Sequence, residues 1–329
     1  MAELKGRRVL VTGGGGFIPS HLVRRLVNID AEVFVLVKYN SIFDNVRLVD
    51  IWDRVHPVEA DIRNLDSLRQ LRDIRPDVVY HLAAYNHVGD SFLHVNEALD
   101  CNTKGTANVL ESCEGVERFI YISTSEVYGK QNTVPFVETL CPNPISPYAV
   151  GKYGGELYCR MQMQMKDRRG VVIRPFNAFG PYQSPRAVIA ELMLTCLAGE
   201  PIRTTEGKQT RDFNFVENLV DGFILAGERD EAIGRIINIG SGEEISIRDL
   251  VYKIHEACES RSDLQIGALP YRPTEIWRMF ADSSLAATLL GWTPKVSFTE
   301  GIRRTASWYR NFRSEFQDPR SPLFRLSAG

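Results

Sequence analysis

The sequence predicts an α/β fold: a doubly wound parallel sheet followed by a smaller, less regular C-terminal domain. Three observations carry this. Short, continuously apolar runs recur along the chain, amphipathic stretches alternate with them, and a glycine-rich turn, TGGGGFIPS at 12–20, separates the first run from the first helix. Continuous Val/Ile/Leu runs of strand length fit strands buried on both faces of a parallel sheet.

In chain order, strands are expected at 8–12, 33–37, 78–81, 119–123, 171–174 and 236–239. Helices are expected at HLVRRLV (21–27, starting near Phe17), SLRQLRDI (67–74) and TANVLESC (106–113), because their apolar residues fall on one helical face. After Arg174 the alternation breaks down in the Pro- and Gly-rich stretch RPFNAFGPYQSPR. A dinucleotide-binding domain is therefore expected over 1–174, rejoined by about 215–239, with a second domain over 175–329. The tail 317–329 is expected to be loosely held.

At 329 residues the chain is long enough to bury a cofactor site. Its 39 basic and 41 acidic residues give a net charge of -2 with no long run of either sign, which argues against nucleic acid or an acidic membrane surface as partner. The six cysteines form no CxxC pair and lie at no metal-ligand spacing, so reduced thiols and no metal are expected. No signal peptide or 18-residue apolar stretch is visible, and a cytoplasmic protein is the expectation.

The glycine turn has the spacing Gly13-x-x-Gly16-x-x-Pro19, with proline where a third glycine is usual. Glycine permits positive φ and close approach of a pyrophosphate, and the first NH groups of a helix have no internal acceptor. Proline in that first turn loses no needed donor, so the amides of Phe17 and Ile18 are expected to hold the phosphates. The small pair Ala83-Ala84 is expected to make room for the ring of Pro19.

Further on, STSEVYG (123–129) closes the fourth of the predicted strands, and SPYAVGK places Tyr148 and Lys152 four residues apart, on one helix face. A phenol with a pKa of about 10 needs ~4 kcal/mol of charge stabilisation to titrate near 7, and an ammonium beneath it is a plausible source.

The ordered set TGGGGFIP, HLAA (81–84), NTKGT (102–106), STSEVYG, YAVGK, RPFNAFGP (174–181), TRDF (210–213) and NIGSG (238–242) resembles the extended short-chain dehydrogenase/reductase family from about residue 7 to Trp292. The resemblance implies a Rossmann-type N-terminal domain for NAD+ or NADP+ and a C-terminal domain for a UDP- or GDP-linked sugar. It implies Tyr148 as the base at the sugar 4-hydroxyl, Lys152 on the nicotinamide ribose and Thr124 on the same hydroxyl. Cofactor contacts are expected from Gly13, Gly16, Phe17, Ile18, Lys38, Asp61, Ile62, Ala83 and Asn102, the last behind the lysine. Substrate contacts are expected from His87, Asn177, Arg186, Arg211 and Arg278, with Arg211 at the diphosphate.

Thr124-Ser125-Glu126 is similar to the 4,6-dehydratases of this family. Glu126 would take the carbon-5 proton once carbon 4 is a ketone, with Ser125 assisting loss of water from carbon 6. The alternatives are an epimerase, a UDP-glucuronate-type decarboxylase, or a noncatalytic cofactor-binding sensor. Lys38 stands where an NAD-selective acid is usual, which leaves NAD and NADP both open. A homodimer through the helices around 106–113 and 148–165 is a family expectation. The alternating Met161, Met163 and Met165 are read as packing, and His81 as structural.

Overall fold

The computed structural model describes residues 4–39, 46–271 and 275–317. The expected loose tail lies, from residue 318 on, outside the described residues. Seven strands form one sheet: β1 (Arg8–Thr12), β2 (Glu32–Val37), β3 (His56–Glu59), β4 (Val78–His81), β5 (Arg118–Ile122), β6 (Gly170–Pro175) and β7 (Ile236–Ile239). Their spatial order is β3-β2-β1-β4-β5-β6-β7, and every neighbouring pair is parallel. The order reverses at β1, so the carboxyl ends of β1 and β4 open a crevice there, the place where ligands bind in such sheets.

β3 has no counterpart in the sequence reading. Its sequence, HPVE, shows no apolar run, and Pro57 removes a donor. At the sheet edge, pairing only with β2, that loss is tolerated. The helix expected at 67–74 is a 3-10 turn (Leu65–Leu68) and a single turn (Leu71–Ile74), stopped where Arg75 adopts φ 48° ahead of Pro76.

Helix α1 (Phe17–Asn28) begins at the expected residue, with Gly16 as its N-cap, and buries Leu22, Val23, Leu26 and Val27. Helix α2 runs from Val95–Leu99 through a π turn at Asp100–Lys104 into Gly105–Ser112. Helix α3 (Pro147–Lys166) starts with Pro147 in its first turn, and its capping Ser146 accepts a hydrogen bond from the Ala149 amide. On α3 only Met163 packs as expected, against Gly170, whereas Met161 and Met165 are exposed.

Helix α4 (Val188–Ala198) is followed by α5 (Val216–Glu228), which returns beside α1 and feeds β7. Leu219, Phe223, Ile237 and Ile239 thus join the core of β1, β2 and β5, as do Ala286, Leu290 and Trp292 from further along. A second core gathers Ile189, Met193, Phe213, Leu250, Ile254, Phe298 and Tyr309. Short strand pairs, including Asn177–Phe179 with Phe213–Phe215 and Thr210–Arg211 with Ile245–Ser246, carry the chain over the sheet's carboxyl end. Among the described residues no helix is long and apolar enough to cross a membrane.

Candidate active site

The glycine turn follows directly from β1. Gly13 adopts φ +69°, and a Cβ on it would stand 2.8 Å from Ala83 Cα, so only glycine fits. This corrects the packing expected for the proline: Ala83 lies against Gly13, and the Pro19 ring lies against Gly16, where a Cβ would be 3.0 Å from Pro19 Cγ. The ring fits because the residue three positions earlier has no side chain. The N–H groups of Phe17 and Ile18, first in α1, have no acceptor within the helix.

A cavity of about 360 Å³ runs from this turn across the strand ends. Gly13, Gly16, Phe17, Ile18 and Ala83 line one end; Thr124, Ser125, Glu126, Tyr148, Lys152 and Asn177 line the rest. A smaller cavity of about 170 Å³ shares Gly13 and Ala83 and is walled by Lys38, Asp61 and Ile62. These cavities bring together most of the residues singled out in the sequence. The rest sit in ion pairs or hydrogen bonds outside their linings.

His87 and Arg186 converge on Asp90: His87 Nδ1 accepts from its amide at 3.0 Å, and Arg186 Nη2 donates to its carboxylate at 2.7 Å. Arg278 pairs with Glu244, and Arg211 with Glu275 at 2.7 Å. Asn102, in the π turn of α2, holds both backbone groups of Tyr85 through its amide. It braces the loop after β4 and makes no bond to Lys152, whose Nζ donates to the Ile122 carbonyl and lies 4.6 Å from the Tyr121 ring centroid.

Thr124 caps a 3-10 turn over Ser125–Tyr128 by accepting from the Glu126 amide. Burial pushes the Tyr148 phenol up to about 12; a hydrogen bond from Thr124 pulls it down and Glu126 pushes it further up. Burial brings the Lys152 ammonium down to about 8, while Glu156 acts in the opposite sense. Glu126 lies above the usual carboxylate range, chiefly through burial, with Arg211 opposing and Glu275 reinforcing. A carboxyl so placed can exchange its proton closer to neutrality, as a group acting first as base and then as acid must.

His81 is structural, as expected. Thr106 donates to the Asn102 carbonyl and accepts from His81 Nε2, so His81 Nδ1 accepts from Thr12. The Thr12 oxygen in turn accepts from the amides of Leu82 and Ala83. Burial drives the imidazole down to about 3. This chain ties the glycine turn to the π turn.

Three supports were not anticipated. Glu156, fully buried, accepts from Ser123 Oγ at 2.8 Å and from Arg174 Nη2 at 2.6 Å, locking α3 to β5 and β6 beneath the site. It lies four residues beyond Lys152, a spacing that was readable. Ser91 accepts from the Tyr148 amide. Asp212 accepts from Ser241, Gly242 and Ala281 amides and so fixes the NIGSG turn beside Arg211.

The site fits a dinucleotide. Its glycine turn admits no Cβ at Gly13, helix-start amides line the cavity's end, and the smaller cavity sets Asp61, paired with Arg63, beside Ile62. Residues 10–305 match the family model described as GDP-mannose 4,6 dehydratase. The UDP-glucose 4-epimerase of Mycolicibacterium smegmatis is 35% identical over 92% of this chain and 99% of its own. The dTDP-D-glucose 4,6-dehydratase of Mus musculus is 32% identical over 94% of this chain and 90% of its own. The structure of DesIV, a dTDP-glucose 4,6-dehydratase from Streptomyces venezuelae solved with NAD bound, superposes with a TM-score of 0.85 at 31% identity, covering 93% and 98% of the two chains. With its all-parallel sheet, its glycine turn and Tyr148 and Lys152 on one cavity wall, the chain belongs to the nucleotide-sugar epimerase/dehydratase branch of the short-chain dehydrogenase/reductase family.

Proposed function

We propose that the protein is an NAD-dependent nucleotide-sugar 4,6-dehydratase that forms a 4-keto-6-deoxy sugar. The observation that carries this reading is the placement of Glu126 on the same cavity wall as Thr124 and Tyr148, with its carboxyl raised by burial. NAD is favoured over NADP because neighbours such as DesIV are solved with NAD bound; in the smaller cavity Asp61 is held by Arg63, with Lys38 on the same wall. When bound, the cofactor supplies the hydride acceptor at carbon 4 and the donor at carbon 6.

The protein's own residues do the rest. Thr124 orients the 4-hydroxyl and Tyr148 takes its proton. Titrating Tyr148 near neutrality from about 12 requires roughly 7 kcal/mol of charge stabilisation, so the reactive phenolate depends on the filled site. Glu126 removes the carbon-5 proton and, with Ser125, passes it to the carbon-6 hydroxyl, which departs as water. As carbon 6 gains hydride, carbon 5 regains a proton from solvent through Glu126, balanced by release of the proton Tyr148 took from the 4-hydroxyl. Asn177, on the cavity wall, is assigned to the sugar, and Arg211 to the diphosphate once it exchanges Glu275 for it. His87, Arg186 and Arg278, each at the periphery, contact the substrate only after exchanging their present partners.

Epimerisation is the second reading, favoured by the 35% identity to a UDP-glucose 4-epimerase. UDP-, dTDP- and GDP-hexoses, UDP-N-acetylhexosamines and UDP-glucuronate incubated with the protein in deuterated water separate the readings. Loss of one water with deuterium at carbon 5 supports dehydration, and unchanged mass with inverted carbon 4 replaces it by epimerisation. Loss of carbon dioxide from UDP-glucuronate indicates a decarboxylase, and no turnover a sensor. The same proposal includes a homodimer: Val150, Leu157, Met161 and Met165 form an exposed apolar stripe on α3, and light scattering at about twice 37.2 kDa is the expected result.

A further inference from the structure

Two side chains link the glycine turn and helix α1 to the loop 177–183, whose Asn177 and Ala178 line the cavity. Arg47 donates through Nη1 to the Gly15 carbonyl, 3.1 Å away, and through Nε to the Tyr182 carbonyl, 2.9 Å away. His21, one turn into α1, lies 3.0 Å through Nε2 from the Pro181 carbonyl. Since that partner only accepts, Nε2 carries the hydrogen, and burial, which brings the ring down to about 4, keeps it neutral near pH 7.

Arg47 makes no ion pair among the described residues, and burial brings its guanidinium down to about 10, still charged at neutral pH. These two carbonyl bonds hold the guanidinium in one orientation, because turning it away gives up both. The loop it grips is itself constrained. Tyr182 adopts φ 66°, a conformation uncommon for a bulky side chain, under Arg24 at 4.9 Å and against Trp308 at 4.8 Å. Gln183 Nε2 donates to the Ala178 carbonyl, and Ala178 and Asn177 line the cavity.

We infer that Arg47 and His21 are positioning residues that couple the occupancy of the glycine turn to the loop 177–183, so that a bound cofactor sets the wall on which the sugar docks. Filling the turn fixes the Gly15 peptide and the first turn of α1. Through the two clamps, the Pro181 and Tyr182 carbonyls are fixed with them, and Gln183 passes the constraint to Ala178. The inference rests on the proposed use of NAD and on nothing about the sugar chemistry.

Hydrogen–deuterium exchange of the full chain, with and without saturating NAD+, tests it. Residues 180–187 are the reporting segment, because unlike Asn177 and Ala178 they do not line the cavity. In the wild-type protein their exchange is expected to slow by about fivefold or more on NAD+ addition. In Arg47→Met and in His21→Phe, which keeps a ring and loses the donor, the slowing is expected to fall below about twofold, and His21→Gln, which restores a donor, to recover it. Equal slowing in the wild type and both variants, or none in the wild type, overturns the coupling. NAD(H) retention measured on each purified protein separates the two readings: a protein that binds NAD+ without the protection refutes the coupling alone, and one that binds neither NAD nor NADP refutes both.

Discussion

Replacing Glu156 by glutamine tests the account of how helix α3 is held. Glu156 is 0% and Arg174 1% exposed, and the carboxylate accepts three short bonds, from Ser123 and from two nitrogens of the guanidinium. Arg174 also lies 4.7 Å over the Tyr128 ring, so it cannot swing to solvent when its partner is neutralised. Removing one member of a buried pair leaves an uncompensated charge and costs about 3–5 kcal/mol. At an unfolding entropy of about 2.1 cal/mol/K per residue, a chain this long has roughly 0.7 kcal/mol/K at its midpoint, so the cost corresponds to a fall of about 4–7 °C in Tm. Glu156→Gln and the double variant Glu156→Gln/Arg174→Met would be compared with wild type by thermal unfolding. The double variant, having no buried charge to strand, is expected to recover at least half of the loss. A single variant within about 1 °C of wild type, or a double variant worse than the single, would refute the reasoning. Since Glu156 also opposes the depression of the Lys152 ammonium, the alkaline limb of the pH–rate profile is expected to move to lower pH in the single variant.

Three other outcomes follow from the site and its surroundings. Glu126→Gln is expected to retain cofactor reduction by substrate, seen as nicotinamide absorbance, while dehydration falls by a factor of about 10²–10⁴; loss of both steps would show that the carboxylate serves binding. Gly13→Ala is expected to abolish cofactor retention, because the added Cβ meets Ala83 at 2.8 Å on a backbone at φ +69°, and to lower stability by roughly 1–3 kcal/mol; normal retention would place the cofactor elsewhere. His21 and His81, neutral in the fold at about 4 and about 3, bind protons more tightly when unfolded, so stability is expected to fall as pH drops below about 6.5. Near pH 5 each contributes about 1.4 kcal/mol per pH unit, and His21→Gln should remove about one proton of uptake on unfolding; an unchanged slope would show that His21 is charged in the folded protein.

The sequence by itself determined most of the sheet and the cavity wall lined by Thr124, Glu126, Tyr148 and Lys152. Continuous apolar runs can be satisfied only between two layers, so the strands at 8–12, 78–81 and 236–239 coincide with β1, β4 and β7. The glycine turn and the Tyr148-Lys152 spacing are local, and local geometry is legible one residue at a time. What the tertiary structure decided were partners distant in the chain. Pro19 is accommodated by Gly16 rather than by the alanines, which meet Gly13 instead. The ammonium of Lys152 goes to Ile122, and the arginines at 186, 211 and 278 pair with Asp90, Glu275 and Glu244. Edge strand β3, which contains a proline, exists because β2 offers it a partner. Arg47 carries no motif, and Glu156 only its spacing from Lys152, since such a charge acquires its meaning from the groups the fold places around it, here carbonyls 32 and 135 positions away for one and a guanidinium 18 positions away for the other.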